Sequence, residues 1–398
     1  MRKEATLAGY FSKTHYYTNK SDPKIISPVD QLWSAFDEKF QFPISLAKHK
    51  LSDALRNTVT HITAVIIAKT KLHSAESSRH IKTAQVNHGF TRIKPAISVE
   101  YRFNVTQQNL TQAENFYIYS VQNFLKPAIE LKPESSDRIH VIVPLKGRLD
   151  AMTRFLDNIE REGRNEDMEV LIVLFKSPDN LVDYEYKDSM ESIKLFQTQH
   201  PLISVVVYPI VGRFSRAVAL ETGIRLVPMK ALVLFCDVDV VIKRRFFTAC
   251  RNNAQLNKSA FFPILFSQYN PAYSFAVDTA SQLEEHRGYW RDFGFGLACL
   301  YKKDYFRVGG FDRKIIGWGK EDIDLYGKFI YNGYAVIRTR SPHLFHQFHP
   351  QNCSGINESQ RNMCHSTKYS NYASQINLAT RWQLSGNGAA QIQNSTVS

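Results

Sequence analysis

Cysteine is scarce in this chain, with five in 398 residues: Cys236, Cys250, Cys299, Cys353 and Cys364. They are too few and too spread for a disulfide-built scaffold, and no C-x-x-C pair marks a zinc site or a redox centre. Cys353 and Cys364 could bridge a C-terminal loop, and the odd count leaves at least one thiol free. Long apolar runs are missing too. The N-terminus MRKEATLAGYFSKTHYY has no apolar core, and Ile62–Ala68 is too short to span a bilayer. The expectation is a soluble chain, or one without an anchor that related chains carry. Negative charge is in deficit, 37 acidic against 50 basic residues, for a net charge of +13. Such a surface draws in anions. The chain nevertheless lacks any RNP, zinc-finger or helix-turn-helix signature, and its basic residues are scattered, so nucleic acid is not the expected partner. An acidic polysaccharide suits the charge equally well.

What is present is an ordinary globular balance, 43% apolar and 22% charged, in a length that suits one large or two ordinary domains. Residues 1–137 are weakly patterned and are expected to form a stem or accessory region. Within them Leu51–Ala68 reads as a helix, Ala96–Val105 as a strand, and Lys126–Asp137, with its prolines and Ser-Ser pair, as a linker. Sequons at Asn19, Asn104, Asn109, Asn257, Asn352, Asn357 and Asn394 permit a secretory-pathway lumen.

From residue 138 the pattern sharpens. Strands are expected at His140–Pro144, Met168–Phe175, Ile203–Tyr208 and Ala231–Cys236. Helical spacing separates them, at Met152 to Ile159, Tyr186–Gln199 and Phe214–Val227. This alternation implies right-handed crossovers and an α/β fold with a mostly parallel central sheet flanked by helices. Ligands in such sheets sit beyond the carboxyl ends of the strands. Pro144–Arg148, Gly212–Arg216 and Asp237–Asp239 each follow a strand, so three loops should converge on one edge. The catalytic domain is expected over 138–382, with a polar tail at 383–398.

Two carboxylates, Asp237 and Asp239, close the apolar run LVLFCDVDVVI. Alternation would put both on one side if the strand continues, and hard oxygen ligands suit Mg²⁺ or Mn²⁺ bridging to a diphosphate. The plain alternative is a surface turn. His346 and His349 in LFHQFHP, with His343 nearby, are either loop histidines or ligands that would favour manganese. Downstream, Glu321 and Asp322 open a helix, where the dipole stabilises their charge whatever they do. Trp318 sits between Gly317 and Gly319, as a sugar-stacking platform on a mobile loop would require. A carboxylate beside it could take the proton of an acceptor hydroxyl. Arg148, Arg213 and Arg216 can fork onto phosphate or simply be solvated. Most aromatics of YWRDFGFG read as core, with Trp290 the one best suited to meet sugar.

In order, VPLKGR, GRFSRAVALETG, FCDVDVVI, FFPILFSQYNP, GYWRDFGFG, VGGFDRKIIGWGKEDIDLYGKF and LFHQFHPQNC resemble the chondroitin N-acetylgalactosaminyltransferase and chondroitin synthase family. The resemblance covers about 138–382. It implies a β4-galactosyltransferase-like GT-A fold in the Golgi lumen, as a type II membrane protein. The implied reaction is Mn²⁺-dependent inverting transfer of GalNAc from UDP-GalNAc to O4 of a terminal glucuronate, on glycosaminoglycan or linkage-region acceptors. A hetero-complex with other chondroitin synthases is implied as well. By the resemblance, Asp239, Asp237, His346 and His349 hold the metal. Asp322 is the base, and Glu321 binds acceptor or donor sugar. Trp318, with Gly319, closes over the acceptor. Pro144, Arg148, Phe214, Arg216, Asp237 and Val238 surround the donor nucleotide. Other readings are a transferase of the same fold using UDP-glucuronate or UDP-galactose, and a non-catalytic chondroitin-polymerising partner.

Overall fold

The computed structural model describes residues between Leu32 and Leu378 with interruptions. Residues 1–31, 43–48, 65–80, 110–112, 124–126, 134–136, 179–182, 274–282, 316–318 and 379–398 are the main stretches outside the described residues. The described residues between Asp53 and Thr60 are helical, in the first half of the expected Leu51–Ala68 helix. Of its second half, residues 61–63 and 65–68 fall outside the described residues, as does Trp318.

Seventeen strands are numbered along the chain. The first seven are β1 (Leu32–Asp37), β2 (Phe40–Phe42), β3 (His49–Lys50), β4 (Ile81–Lys94), β5 (Ser98–Asn109), β6 (Ala113–Asn123) and β7 (Pro127–Pro133). They form an antiparallel meander in the order β3-β2-β1-β4-β5-β6-β7. Two expectations change here. Much of the described part of the weakly patterned region is strand, β1 to β7, and the expected linker contains β7. Antiparallel strands with one covered face carry a weaker apolar signal than doubly covered ones. The prolines tolerate this because Pro127 and Pro133 stand at the ends of an edge strand. Asn104, only 6% exposed within β5, is lost as a glycan site.

The remaining strands are β8 (Ile139–Leu145), β9 (Met168–Lys176), β10 (Ser204–Val211), β11 (Leu232–Phe235), β12 (Val240–Ile242), β13 (Ser259–Phe261), β14 (Ile264–Gln268), β15 (Gly288–Trp290), β16 (Ala298–Tyr301) and β17 (Ala335–His346). The central sheet runs β10-β9-β8-β11-β16-β13-β17. The pairs from β10 to β11 are parallel, and β16 alone is antiparallel to its neighbours. The crossovers are the helices Leu149–Gly163, Tyr184–Gln199 and Arg216–Leu226. Each lies where the sequence pattern placed it, and the α/β class with a mostly parallel sheet is observed.

Alternate residues of the buried strands feed two separate cores. On one face Val141, Val143, Val170, Ile172, Leu232 and Leu234 pack with Met152, Phe155 and Ile159 of the first crossover helix. On the other, Ile142, Leu171, Val173, Val233 and Phe235 pack with Leu220 and Ile224, and with Leu325 and Phe329 of the helix Glu321–Tyr331. Both faces being covered explains why these strands read as unbroken apolar runs. The helix Arg216–Leu226 comes so close to β8 that a Cβ on Gly223 would lie 2.3 Å from Ile142 Cγ2. Glycine is required at that contact.

The twelve-residue β17 links the layers. It pairs in turn with β13, with β1 (Leu32 opposite Arg338), and at its end with β12 and β14. His346 is its last residue. Two disulfides are present, the expected Cys353–Cys364 and an unexpected Cys250–Cys299 that ties the helix Arg245–Asn253 to β16. Cys236 is the buried free thiol. No helix among the described residues is long and apolar enough to cross a membrane.

Candidate active site

The loops after β8, β10 and β11 meet at the carboxyl ends of those strands, as the α/β pattern requires. The aspartates do not share one face of a strand. β11 stops at Phe235, and residues 238–239 form a turn closed by the Val240 amide donating to the Asp237 carbonyl at 3.2 Å. The turn sends the two carboxylates to different partners. Val238 between them is 6% exposed and packs into the core, so its side chain anchors the turn.

Asp239 is 6% exposed. The guanidinium of Arg148 forks onto both of its oxygens, one contact being 2.7 Å. His349 Nε2 lies 3.3 Å from its Oδ2. Burial raises the Asp239 pKa, opposed by His349 and Arg148. His346 completes the group: one ligand atom from each of Asp239, His346 and His349 falls within 4.8 Å of the others. The His346 ring is 6% exposed, and burial, with Arg291 next in weight, holds its pKa well below the ordinary value. It is therefore neutral and able to ligate. One carboxylate and two imidazoles make a donor set suited to Mn²⁺ rather than Mg²⁺, so these residues fit such a cation. Asp237 lies outside this group of ligand atoms.

Asp237 instead accepts a 2.7 Å bond from Arg216 Nε. Arg216 also donates to the Gly296 carbonyl at 2.7 Å and stands 3.6 Å from Glu321 Oε1. Burial disfavours its cation, but Asp237 and Glu321 outweigh that cost and hold its pKa above the ordinary value. Glu321 is 5% exposed, and burial, with Asp322 adding, pushes its pKa up to about 7. Its Oε2 is buried without a hydrogen-bond partner. The Asp322 pKa is also raised by burial, against the pull of Arg216, and its Oδ1 accepts the Ile323 amide at 2.9 Å. The acids open the helix Glu321–Tyr331, as expected, just after Gly319 and Lys320, which both have positive φ (77° and 75°). Gly147 and Arg148 repeat that left-handed pair at the start of Leu149–Gly163, each with φ 59°. Non-glycine residues held there cost on the order of 1–3 kcal/mol, and such strain gathers at functional sites.

The site is therefore two charged groups joined through one turn. One holds Asp239, Arg148, His346 and His349, and the other Asp237, Arg216, Glu321 and Asp322. Pro144 is buried in β8, and Phe214 is exposed with its edge against Phe175, the centroids 5.2 Å apart. Trp290 is corrected. It is 6% exposed and packs edge-on against Phe266 and Phe42, so it is a core residue rather than a sugar platform. Sequence reasoning missed Arg291, which donates to Ser267 Oγ at 2.8 Å and approaches His346 Nδ1 at 3.4 Å. The signal was present in YWRDFGFG, where its aromatic neighbours drew the reading.

The profile of the chondroitin N-acetylgalactosaminyltransferase family matches residues 15–378. The chain belongs to this family. Human chondroitin sulfate synthase 3 is 28% identical over 388 residues, covering 84% of this chain and 44% of that protein. Human chondroitin sulfate N-acetylgalactosaminyltransferase 2 is 31% identical over 304 residues, covering 73% of this chain and 55% of that one. The chain thus spans about half the length of the curated relatives it matches. Among solved structures, a Pyrobaculum calidifontis mannosyltransferase in complex with GDP-Man and Mn²⁺ is similar at 17% identity and TM-score 0.38, over 66% of this chain and 76% of that one. The family match reaches upstream of residue 138 and so takes in the whole meander, β1 to β7.

Proposed function

We propose that this family member is a GT-A glycosyltransferase that moves GalNAc from UDP-GalNAc to the 4-hydroxyl of a terminal glucuronate in chondroitin synthesis, with inversion and with Mn²⁺. The observation that carries the reading is the pairing of a carboxylate–diimidazole group with a buried acid pair, joined by Arg216 and the Asp237–Asp239 turn. A binding module has no need of both. Asp239, His346 and His349 would hold the cation, which would supply charge stabilisation for a departing diphosphate.

The protein's own groups do the rest. Asp322 accepts the proton of the acceptor hydroxyl as its oxygen bonds to the sugar C1 and the C1–O bond to UDP breaks, the electron pair leaving with the nucleotide. One base suffices, because inversion forms no covalent enzyme intermediate. Glu321, with a pKa of about 7, carries a proton through much of the neutral range and can donate a hydrogen bond to a sugar hydroxyl. Arg216 fixes Asp237 and faces the acid pair, holding the turn in place. We assign the donor side to Arg148 and Phe214 with the backbone at Pro144 and Val238, and contact with the acceptor to Trp318 and Gly319. We assign catalysis to 138–382, an accessory role to 1–137 and a polar tail to 383–398. We place the protein in the Golgi lumen as a type II membrane protein, in hetero-complex with other chondroitin synthases.

The test is transfer from a panel of UDP-sugars to a glucuronate-terminated oligosaccharide, with and without Mn²⁺. Only UDP-GalNAc should be consumed, and only with the metal. Consumption of UDP-glucuronate or UDP-galactose alone overturns the donor assignment. Asp239→Asn should weaken Mn²⁺ binding, read by titration, by at least about a hundredfold, beyond the cost of an outer-shell change.

A further inference from the structure

Arg338, in β17, is the largest fully buried side chain among the described residues. Its hydrogen bonds run to backbone carbonyls. Nη2 donates to Asp292 at 2.5 Å and to Gly294 at 2.9 Å, and Nη1 donates to Phe262 at 3.4 Å. A cation buried on carbonyls is harder to accommodate than an apolar side chain of similar shape. A task at the site would account for it. The carbonyls of Asp292 and Gly294 belong to the segment 291–297, which joins β15 to β16. That segment ends at the carboxyl edge of the sheet, because Ala298 stands opposite Phe235, the last residue of β11.

The two halves of the segment are held differently. In the first, the Arg291 amide donates to the Leu265 carbonyl at 3.0 Å, and the Asp292 carboxylate accepts a fork from Arg340. In the second, the carbonyl of Gly294 accepts from Arg338 and that of Gly296 from Arg216, at 2.9 and 2.7 Å. The Arg338 guanidinium also lies 4.0 Å from the centroid of the Phe295 ring and 5.8 Å from that of Tyr326. Those two rings pack 4.6 Å apart. Tyr326 belongs to the helix Glu321–Tyr331, which opens on the acid pair. One buried cation therefore reaches both elements that face Arg216. They are the segment whose Gly296 accepts from it and the helix whose Glu321 stands 3.6 Å from it.

We propose that Arg338 is a positioning residue for the transfer reaction: it clamps the Phe295 segment to the acid helix and so fixes Arg216 between Asp237 and the acids Glu321 and Asp322. The metal group is held by other bonds, since His346 stands in register with Val240 of β12 and with Ser267 of β14. The clamp thus serves the acid pair and not the cation site. The inference rests on the proposed role of Asp322 as base, but its backbone arm can be read without it.

The test is Arg338→Lys, which keeps the charge but cannot span the carbonyls as a planar fork does. Phe295→Leu is the second variant, loosening the clamp with the guanidinium intact. Burial raises the Asp322 pKa, and of the charged groups acting on it, Arg216, Asp237, Glu321 and Arg338, Arg216 most favours the ionised form. With Arg216 displaced that pKa rises further, so the acid limb of the kcat profile should move up by roughly one pH unit in both variants. Plateau kcat should fall by roughly a hundredfold in Arg338→Lys. Mn²⁺ affinity, read by titration, should not change. In an Arg216→Lys background, Arg338→Lys should cost little further kcat. An unmoved acid limb, weakened Mn²⁺ binding or fully additive losses overturn the proposal, because each would mark a general loosening of the fold. Amide hydrogen exchange supplies an arm that needs no activity. Residues 294–297 should exchange faster in Arg338→Lys while β8 is unchanged, and unchanged exchange at 294–297 overturns the clamp. If wild type transfers to no glucuronate acceptor at all, the transferase reading fails while the exchange arm still decides the clamp.

Discussion

At the residue scale, the buried acid pair makes two separable predictions. In its proposed role as base, Asp322 must be ionised to accept a proton, and burial raises its pKa. The acid limb of the kcat profile should therefore lie above the ordinary carboxylate range. Asp322→Asn should lower kcat by about 10²–10⁴-fold with donor affinity retained, measured by nucleotide titration. Full activity in that variant removes the base. Glu321 titrates near 4.5 when unfolded and at about 7 when folded. The fold favours its protonated form, so that contribution is complete below pH 4.5 and is lost as pH rises through 7. Glu321→Gln stays neutral throughout. In metal-free buffer it should melt with wild type below pH 4.5 and above it at pH 8, by up to about 3 kcal/mol. Equal melting at both pH values would show that the acid is not held in its neutral form.

At the element scale, the site depends on how closely the helix Arg216–Leu226 docks on β8. Arg216 opens that helix, and Gly223 sets its approach to Ile142. Ala is intrinsically the better helix former, yet Gly223→Ala should destabilise by about 1–3 kcal/mol through overpacking. It should also cut activity, because the helix carries Arg216 away from Asp237. A melting curve and a kcat measurement check both, and a stabilised variant would refute the close contact. The crossover helices and strands were legible because doubly covered strands and amphipathic helices carry strong periodic signals. The meander was not, since antiparallel strands carry a weaker apolar signal than doubly covered ones and its edge strand β7 begins and ends in proline.

At the scale of the whole molecule, the net charge of +13 gives long-range attraction for an acidic acceptor. Raising ionic strength from about 0.05 to 0.5 M should lower kcat/KM for glucuronate-terminated chains through screening of that steering. An uncharged acceptor analogue should be little affected. A salt-independent kcat/KM for the acidic chains would confine the charge effect to solubility.

The sequence by itself determined the α/β class, the strand–helix order from residue 138, the family, and the residue types offered at the strand ends. These follow from local periodicity and from motifs of fixed order, which need no knowledge of what lies across the sheet. Only the tertiary structure decided the partnerships. A turn after Phe235 divides the two aspartates, giving Asp239 to the histidines and Arg148, and Asp237 to Arg216 and the acid pair. Packing placed Trp290 in the core, and the path of β17 brought His346 to residues more than a hundred positions away. Burial and charge pairing are sums over neighbours distant in sequence, and no spacing along the chain encodes them.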